Sequence, residues 1–221
     1  MIKAVIFDFD DTITNNRTLD YMSFRFLSEE HKLFVPTEKE ILRMRRANFL
    51  APEMIATAIF EKSKGISVLL NISDLLDERR KFLESDDASR WLVPRKGIVK
   101  IVKGLASTGC FLFVASIRKR KRPTLLCLSR LGIRDCFEQI FCGNKGNIYR
   151  KIIEDYHLQG KECLVIGDKI GDIIPANSLQ METAGVPDSY GHIPDCYTSL
   201  FSCMDLNWLI KYVKSNRRKS I

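Results

Sequence analysis

Residues 2–12 read Ile2-Lys3-Ala4-Val5-Ile6-Phe7-Asp8-Phe9-Asp10-Asp11-Thr12. From Ile2 to Phe9 the side chains are mostly branched or aromatic, without the polar alternation of a strand that has one face in water. A strand of this kind is covered on both faces, as in a parallel sheet flanked by helices. Its end is crowded with the carboxylates of Asp8, Asp10 and Asp11.

The pattern recurs downstream. Residues 110–115 (CFLFVA) read as a second buried strand ending at Ser116, and residues 163–166 (CLVI) as a third ending at Gly167-Asp168. Residues 139–142 and 183–186 are shorter apolar segments. Helices are expected over residues 97–105, 123–131 and 148–157, from 173 to 179, and over 206–213, with a frayed tail from Ser215. Strands alternating with amphipathic helices make parallel βαβ units, so the fold expected is a Rossmann-like α/β core.

Residues 15–90 differ in character. Apolar positions recur at helical spacing among Lys, Arg and Glu, and strand signals are few. Tyr21, Phe24, Phe26 and Leu27 are expected to share one face. Thr37 and Glu40 have the spacing of a capping box, Pro52 suits a first helical turn, and Ser73 or Asp74 is expected to cap a further helix. The expectation is a small cap of four helices inserted into a core made of residues 1–14 and 91–221, with linkers near 14–18 and 89–94.

In a parallel sheet, ligands bind beyond the carboxyl ends of the strands. Asp8 and Asp10, Ser116, and Asp168 with Asp172 all fall at such ends and converge if their strands are neighbours. Several carboxylates crowd together only around a cation, and a hard ion that prefers oxygen, Mg2+, is the natural partner.

These residues also carry a resemblance. Phe7-Asp8-Phe9-Asp10-Asp11-Thr12 resembles the first motif of the haloacid dehalogenase superfamily, a strand followed by D-x-D-x-T. Val114-Ala115-Ser116 resembles the second motif, Lys145 the third-motif lysine, and Gly167-Asp168-Lys169-Ile170-Gly171-Asp172 the fourth, in the family's order. The insert between the first and second motifs resembles the helical-cap subclass, like phosphoglycolate phosphatase and β-phosphoglucomutase.

The resemblance implies roles. Asp8 would attack phosphorus and carry an aspartyl-phosphate. Asp10 would protonate the leaving oxygen and then activate water, for which a raised pKa is expected. Asp8, Asp168 and the Asp10 carbonyl would bind Mg2+, with Asp172 binding the ion or its waters. Ser116 would hold a phosphate oxygen, and Lys145 would pair with Asp8 and the phosphoryl group. The second aspartate favours a Mg2+-dependent phosphatase of a small phosphorylated metabolite, such as phosphoglycolate, a sugar phosphate or a nucleotide. A phosphomutase is the alternative.

Two positions depart from the family's pattern. Gly146 stands where proline usually follows the lysine, which makes Lys151 a competing candidate. After Ser116 come Ile117 and Arg118 rather than a small polar residue. Arg118 is expected to contact phosphate or a second anionic group of the substrate. Cations in the run 118–122 would lie at a helix N-terminus, where the dipole disfavours them, an oddity a polyanionic substrate would explain.

The remaining composition sets broader bounds. A net charge of +8 permits a nucleic-acid-associated role, as a binding protein or an end phosphatase, although no recognition motif accompanies it. The seven cysteines include no C-x-x-C pair, which argues against a zinc site and for reduced, buried thiols. No signal-peptide pattern opens the chain, and no apolar run approaches the ~20 residues of a membrane span. A cytoplasmic monomer or homodimer is expected.

Overall fold

The computed structural model describes residues 1–48, 52–63, 71–192, 201–202, 206 and 208–218. The opening run forms β1 (Ala4–Asp8), buried along its whole length. Two short strands, β2 (Thr14–Asn15) and later β3 (Val93–Pro94), enclose four helices: α1 (Arg17–Glu30), α2 (Glu38–Asn48), α3 (Pro52–Lys62) and α4 (Ile72–Leu83). Then follow α5 (Ile98–Ala106), β4 (Phe111–Ser116), α6 (Arg122–Arg130), β5 (Gln139–Cys142), α7 (Lys145–Asp155), β6 (Cys163–Gly167), α8 (Ile170–Ser178), β7 (Glu182–Gly185), β8 (Phe201–Ser202) and α9 (Trp208–Arg218).

The main sheet is parallel, in the order β5-β4-β1-β6-β7-β8. Side chains alternate across it. Val5 and Phe7 point into one layer with Ile101 and Leu105 of α5 and Leu209 of α9. Ala4 and Ile6 point into the other, with Tyr149 and Ile152 of α7 and Ala176 of α8. Each fully buried large aliphatic or aromatic side chain contributes about 1.5–3 kcal/mol of transfer free energy, so both layers are needed to offset chain entropy. The chain leaves β1 toward β4 and β5, then returns on the other side to β6. The crevice at this switch lies over the end of β1.

The four helices between β2 and β3 have their own apolar cluster, including Phe24, Leu27, Ile41, Ile55, Ile59 and Leu75. The chain enters and leaves them through the antiparallel pair β2–β3, with Thr14 opposite Pro94 and Asn15 opposite Val93. Thr37 and Glu40 form the capping box: Glu40 N–H donates to Thr37 Oγ1 at 3.2 Å, and Thr37 N–H to Glu40 Oε2 at 2.9 Å. Pro52 opens α3.

Several local expectations are corrected. Asn71 rather than Ser73 or Asp74 caps α4, accepting from Asp74 N–H at 3.0 Å, because the helix starts one turn earlier than its apolar pattern shows. Phe26 leaves the face of Phe24 and Leu27; it is 47% exposed and stacks on Phe82 of α4. Helices α7 and α8 begin at Lys145 and Ile170, three residues ahead of their first strongly apolar stretch. Helix α9 runs on to Arg218 through part of the stretch expected to fray, and 219–221 lie outside the described residues. The five described cysteines are free thiols; Cys196 and Cys203 lie outside the described residues. Among the described residues no helix is long and apolar enough to cross a membrane.

Candidate active site

Parallel register brings three strand ends together. Asp8 ends β1 opposite Ala115, Ser116 ends β4, and Gly167 ends β6 with Asp168 next. Asp172 comes from the first turn of α8 and Lys145 from the first residue of α7. Lys145 Nζ lies 2.5 Å from Asp8 Oδ1, 2.7 Å from Asp172 Oδ1 and 2.5 Å from the Ala115 carbonyl. Lys151 is turned away, paired with Asp155 at 3.0 Å on the exposed side of α7. The two lysine candidates are thereby separated: Lys145 reaches the carboxylates and Lys151 does not.

Carboxylate oxygens of Asp8, Asp168 and Asp172 all lie within 4.8 Å of one another, and all three residues are buried. Burial, the largest influence, and the charges of Asp172 and Asp10 raise Asp8 to about 6, against the pull of Lys145. Burial first, and then the charge of Asp8, push Asp168 up against the pull of Lys169. Its Oδ1 accepts from Thr12 Oγ1 at 3.5 Å, whereas its buried Oδ2 has no hydrogen-bond partner. A buried oxygen left unpaired costs about 1–3 kcal/mol or more. Converging hard oxygens, one of them unpartnered, fit a Mg2+-sized cation held by Asp8 and Asp168 with Asp172 beside it. Asp172 is packed tightly there: a Cβ at Gly167 would lie 2.5 Å from its carboxylate oxygen.

The Asp10 side chain is turned elsewhere. Arg118 Nε donates to Asp10 Oδ2 at 2.8 Å and Nη2 to Oδ1 at 2.7 Å, while Asn16 Nδ2 donates to Oδ1 at 2.7 Å. Burial pushes this carboxyl up, but the Arg118 guanidinium outweighs it and holds Asp10 below the usual carboxylate range. The expected raised pKa is therefore corrected: beside Arg118, Asp10 is ionised. Arg118, expected to contact substrate, lines the cavity but has its guanidinium engaged within the chain. Arg118 is buried, and its third nitrogen donates to the Leu83 carbonyl of α4 at 2.6 Å. Ser116 is buried at the strand end, its Oγ accepting from Arg118 N–H at 3.2 Å.

Part of the basic run is met from within the chain. The Glu84 carboxylate accepts from the N–H groups of Lys119 and Arg120 at 3.2 and 3.1 Å, and Arg122 pairs with Asp86 at 2.8 Å. Two acids following α4 thus offset the cations ahead of α6.

The sequence reading missed several residues. Asp11 adopts a left-handed conformation (φ 62°), which Asp tolerates better than most residues, and its carboxylate accepts from Asn16 N–H at 3.0 Å and from Ser189 Oγ. Arg95 clasps the turn from outside through the carbonyls of Thr12 (3.0 Å), Asp11 and Pro187. On the far side of a cavity of about 950 Å3, Asp20 of α1 accepts from Arg45 of α2, Arg79 of α4 and, at 2.6 Å, the Tyr190 hydroxyl. Only Asp11, an acid next to the D-x-D pair, carried a local signal.

A family model described as "Haloacid dehalogenase-like hydrolase" matches residues 5–186. No curated protein sequence matches the chain. Among solved structures, the chain is similar to a predicted phosphoglycolate phosphatase from Haemophilus somnus 129PT (TM-score 0.70, 18% identity, 96% of this chain and 98% of that one). It is also similar to CbbY from Rhodobacter sphaeroides in complex with phosphate (TM-score 0.64, 16% identity, 94% and 97%). A third is β-phosphoglucomutase from Clostridium difficile (TM-score 0.58, 21% identity, 99% and 98%).

Proposed function

The chain belongs to the haloacid dehalogenase-like hydrolase family, and from that membership we propose that it is a Mg2+-dependent phosphatase that hydrolyses a small phosphate monoester through an aspartyl-phosphate on Asp8. The observation that carries this reading is the single ammonium of Lys145 shared between Asp8 and Asp172, beside the unpartnered Oδ2 of Asp168. An anionic nucleophile attacks an anionic ester only where the charge between them is offset.

In this reading Asp8 Oδ attacks phosphorus as the ester P–O bond breaks, and the leaving oxygen takes a proton from Asp10. Water then attacks the phosphoryl group, Asp10 accepts its proton, and Asp8 is released with inorganic phosphate. Lys145 offsets the charge on Asp8 throughout, and Ser116 Oγ holds a phosphoryl oxygen. Asp10 beside Arg118 is in its base form, so its acid role requires it to leave that guanidinium. Mg2+, held by Asp8, Asp168, Asp172 and the Asp10 carbonyl, would supply further charge neutralisation.

The substrate class rests on the cavity's lining. Asp8, Asp10 and Asp172 share a cavity with Asp20, Arg45 and Arg79 from the helices of the insert, which suits a small metabolite better than a polynucleotide end. A phosphomutase uses the same pair of aspartates and differs in returning the phosphoryl group to substrate.

The experiment is phosphate release from a panel of monoesters, with and without Mg2+, by the wild type and Asp8→Asn. Turnover that needs Mg2+ and vanishes in the variant supports the reading. Absence of turnover on every ester would sink it. Isomerised product dependent on a bisphosphorylated activator would favour the mutase, and a salt-sensitive shift with DNA or RNA a nucleic-acid role.

A further inference from the structure

Lys169 stands where a helix ordinarily begins with an acceptor. It is the extended residue just before α8 (φ −125°, ψ 152°), and an ammonium cannot cap; Asp172 Oδ2 accepts the Lys169 N–H instead, at 3.3 Å. A cation there faces the positive end of the helix dipole, which disfavours it. The opposing influence is the acidic cluster. Lys169 Nζ lies 3.7 Å from Asp168 Oδ2, and the charges of Asp168, Asp11, Asp8 and Asp10 all act on it.

That contact is an ion pair without a hydrogen bond, since Asp168 Oδ2 has none. The Lys169 side chain is 59% exposed and that of Asp168 0%, so a flexible ammonium reaches a buried oxygen from the lip of the large cavity. Lys145 is held by Asp8, Asp172 and the Ala115 carbonyl, and Arg118 by Asp10 and the Leu83 carbonyl. Of these three cations beside the carboxylates, Lys169 alone has no hydrogen bond from its head group among the described residues.

The divalent ion of the proposed function would want the same oxygen that Lys169 approaches, and two cations a few ångströms apart repel. Held only by charge, the ammonium lines the same cavity as Asp8, where the phosphate of a bound ester would add a further anion. We propose that Lys169 is an exchangeable counter-ion, neutralising Asp168 until a divalent cation takes that oxygen and then turning to the phosphate of the substrate. The inference rests on the phosphatase reading but makes a separate claim about a residue to which the motif pattern assigns no role.

The test is calorimetric. Mg2+ is titrated into the wild type, Lys169→Met and Lys169→Arg, and inorganic phosphate is then titrated into each Mg2+-saturated protein. Lys169→Met should bind Mg2+ about 3- to 10-fold more tightly, because a competing charge is gone. It should bind phosphate about 10-fold more weakly, because a charged donor is gone. Lys169→Arg should stay close to the wild type in both. Unchanged or weakened Mg2+ affinity in Lys169→Met, or unchanged phosphate affinity, would overturn the proposal. Failure of the phosphatase reading shows differently, as wild-type protein that releases no phosphate from any ester, and the two titrations need no turnover.

Discussion

Arg118 grips both carboxylate oxygens of Asp10 at 2.7 and 2.8 Å, and with the same guanidinium donates to the Leu83 carbonyl at the end of α4. One buried side chain thus joins the D-x-D turn to the helices of the insert.

This pair predicts a strong coupling. Arg118→Met leaves the largely buried Asp10 with no cation hydrogen-bonded to it and only the charge of Lys169 nearby, and breaking such a pair costs about 3–5 kcal/mol. Asp10→Asn should relieve much of that loss. In urea titrations the double variant should be markedly more stable than the sum of the two single losses implies. Additive losses would show that the contact is idle.

Lys145 and Lys151 lie on one helix but differ in consequence. Lys145→Met should lower kcat by about 100-fold or more, since it removes the charge offset of the proposed nucleophile. Lys151→Met removes an exposed pair worth at most about 1 kcal/mol and should leave turnover unchanged. Steady-state kinetics on one good ester, with circular dichroism to check folding, decides it.

Asp168 makes stability depend on pH. Burial and the charge of Asp8 hold its folded carboxyl above the 3.8 of the unfolded chain, against the opposing pull of Lys169. The folded state therefore binds more protons from pH 3.8 upward until that carboxyl ionises, and stability falls as pH rises through that window. In EDTA, Asp168→Asn should melt above the wild type at pH 8, with the gap closing toward pH 4. Saturating Mg2+ should stabilise the wild type and not the variant. A wild type as stable as the variant at pH 8 in EDTA would refute this.

Two glycines of the fourth motif should part ways. A Cβ at Gly167 would meet the Asp172 side chain at 2.5 Å, whereas at Gly171 nothing lies within 4 Å. Gly167→Ala should displace Asp172 and with it Lys145, lowering Mg2+ affinity and turnover together. Gly171→Ala should fold normally and gain about 0.5–1 kcal/mol from helix propensity. Equal behaviour of the two variants in Mg2+ titration and thermal melting would contradict the packing argument.

Much of this was legible in the residues alone. The runs ending at Asp8, Ser116 and Asp168 are apolar on both faces, so a parallel sheet with convergent strand ends follows from strand periodicity. The Thr37–Glu40 cap and the Pro52 helix start were likewise readable, because each depends on residues within one turn. The starts at Lys145, Ile170 and Ile72 lie ahead of the strongly apolar stretches, so apolar periodicity does not mark them.

Charge pairing was not legible. Nothing near Arg118 in sequence shows that it meets Asp10, a residue 108 positions away, or that Glu84 meets the backbone of Lys119 from 35 positions away. The sequence by itself determined the sheet, the acidic strand ends and the family, since side-chain period and strand-end chemistry are local properties. Only the tertiary structure decided which lysine reaches Asp8, that Asp10 is held ionised, and that Lys169 stands over Asp168. An ion pair is set by a separation of a few ångströms in space, and spacing along the chain does not encode it.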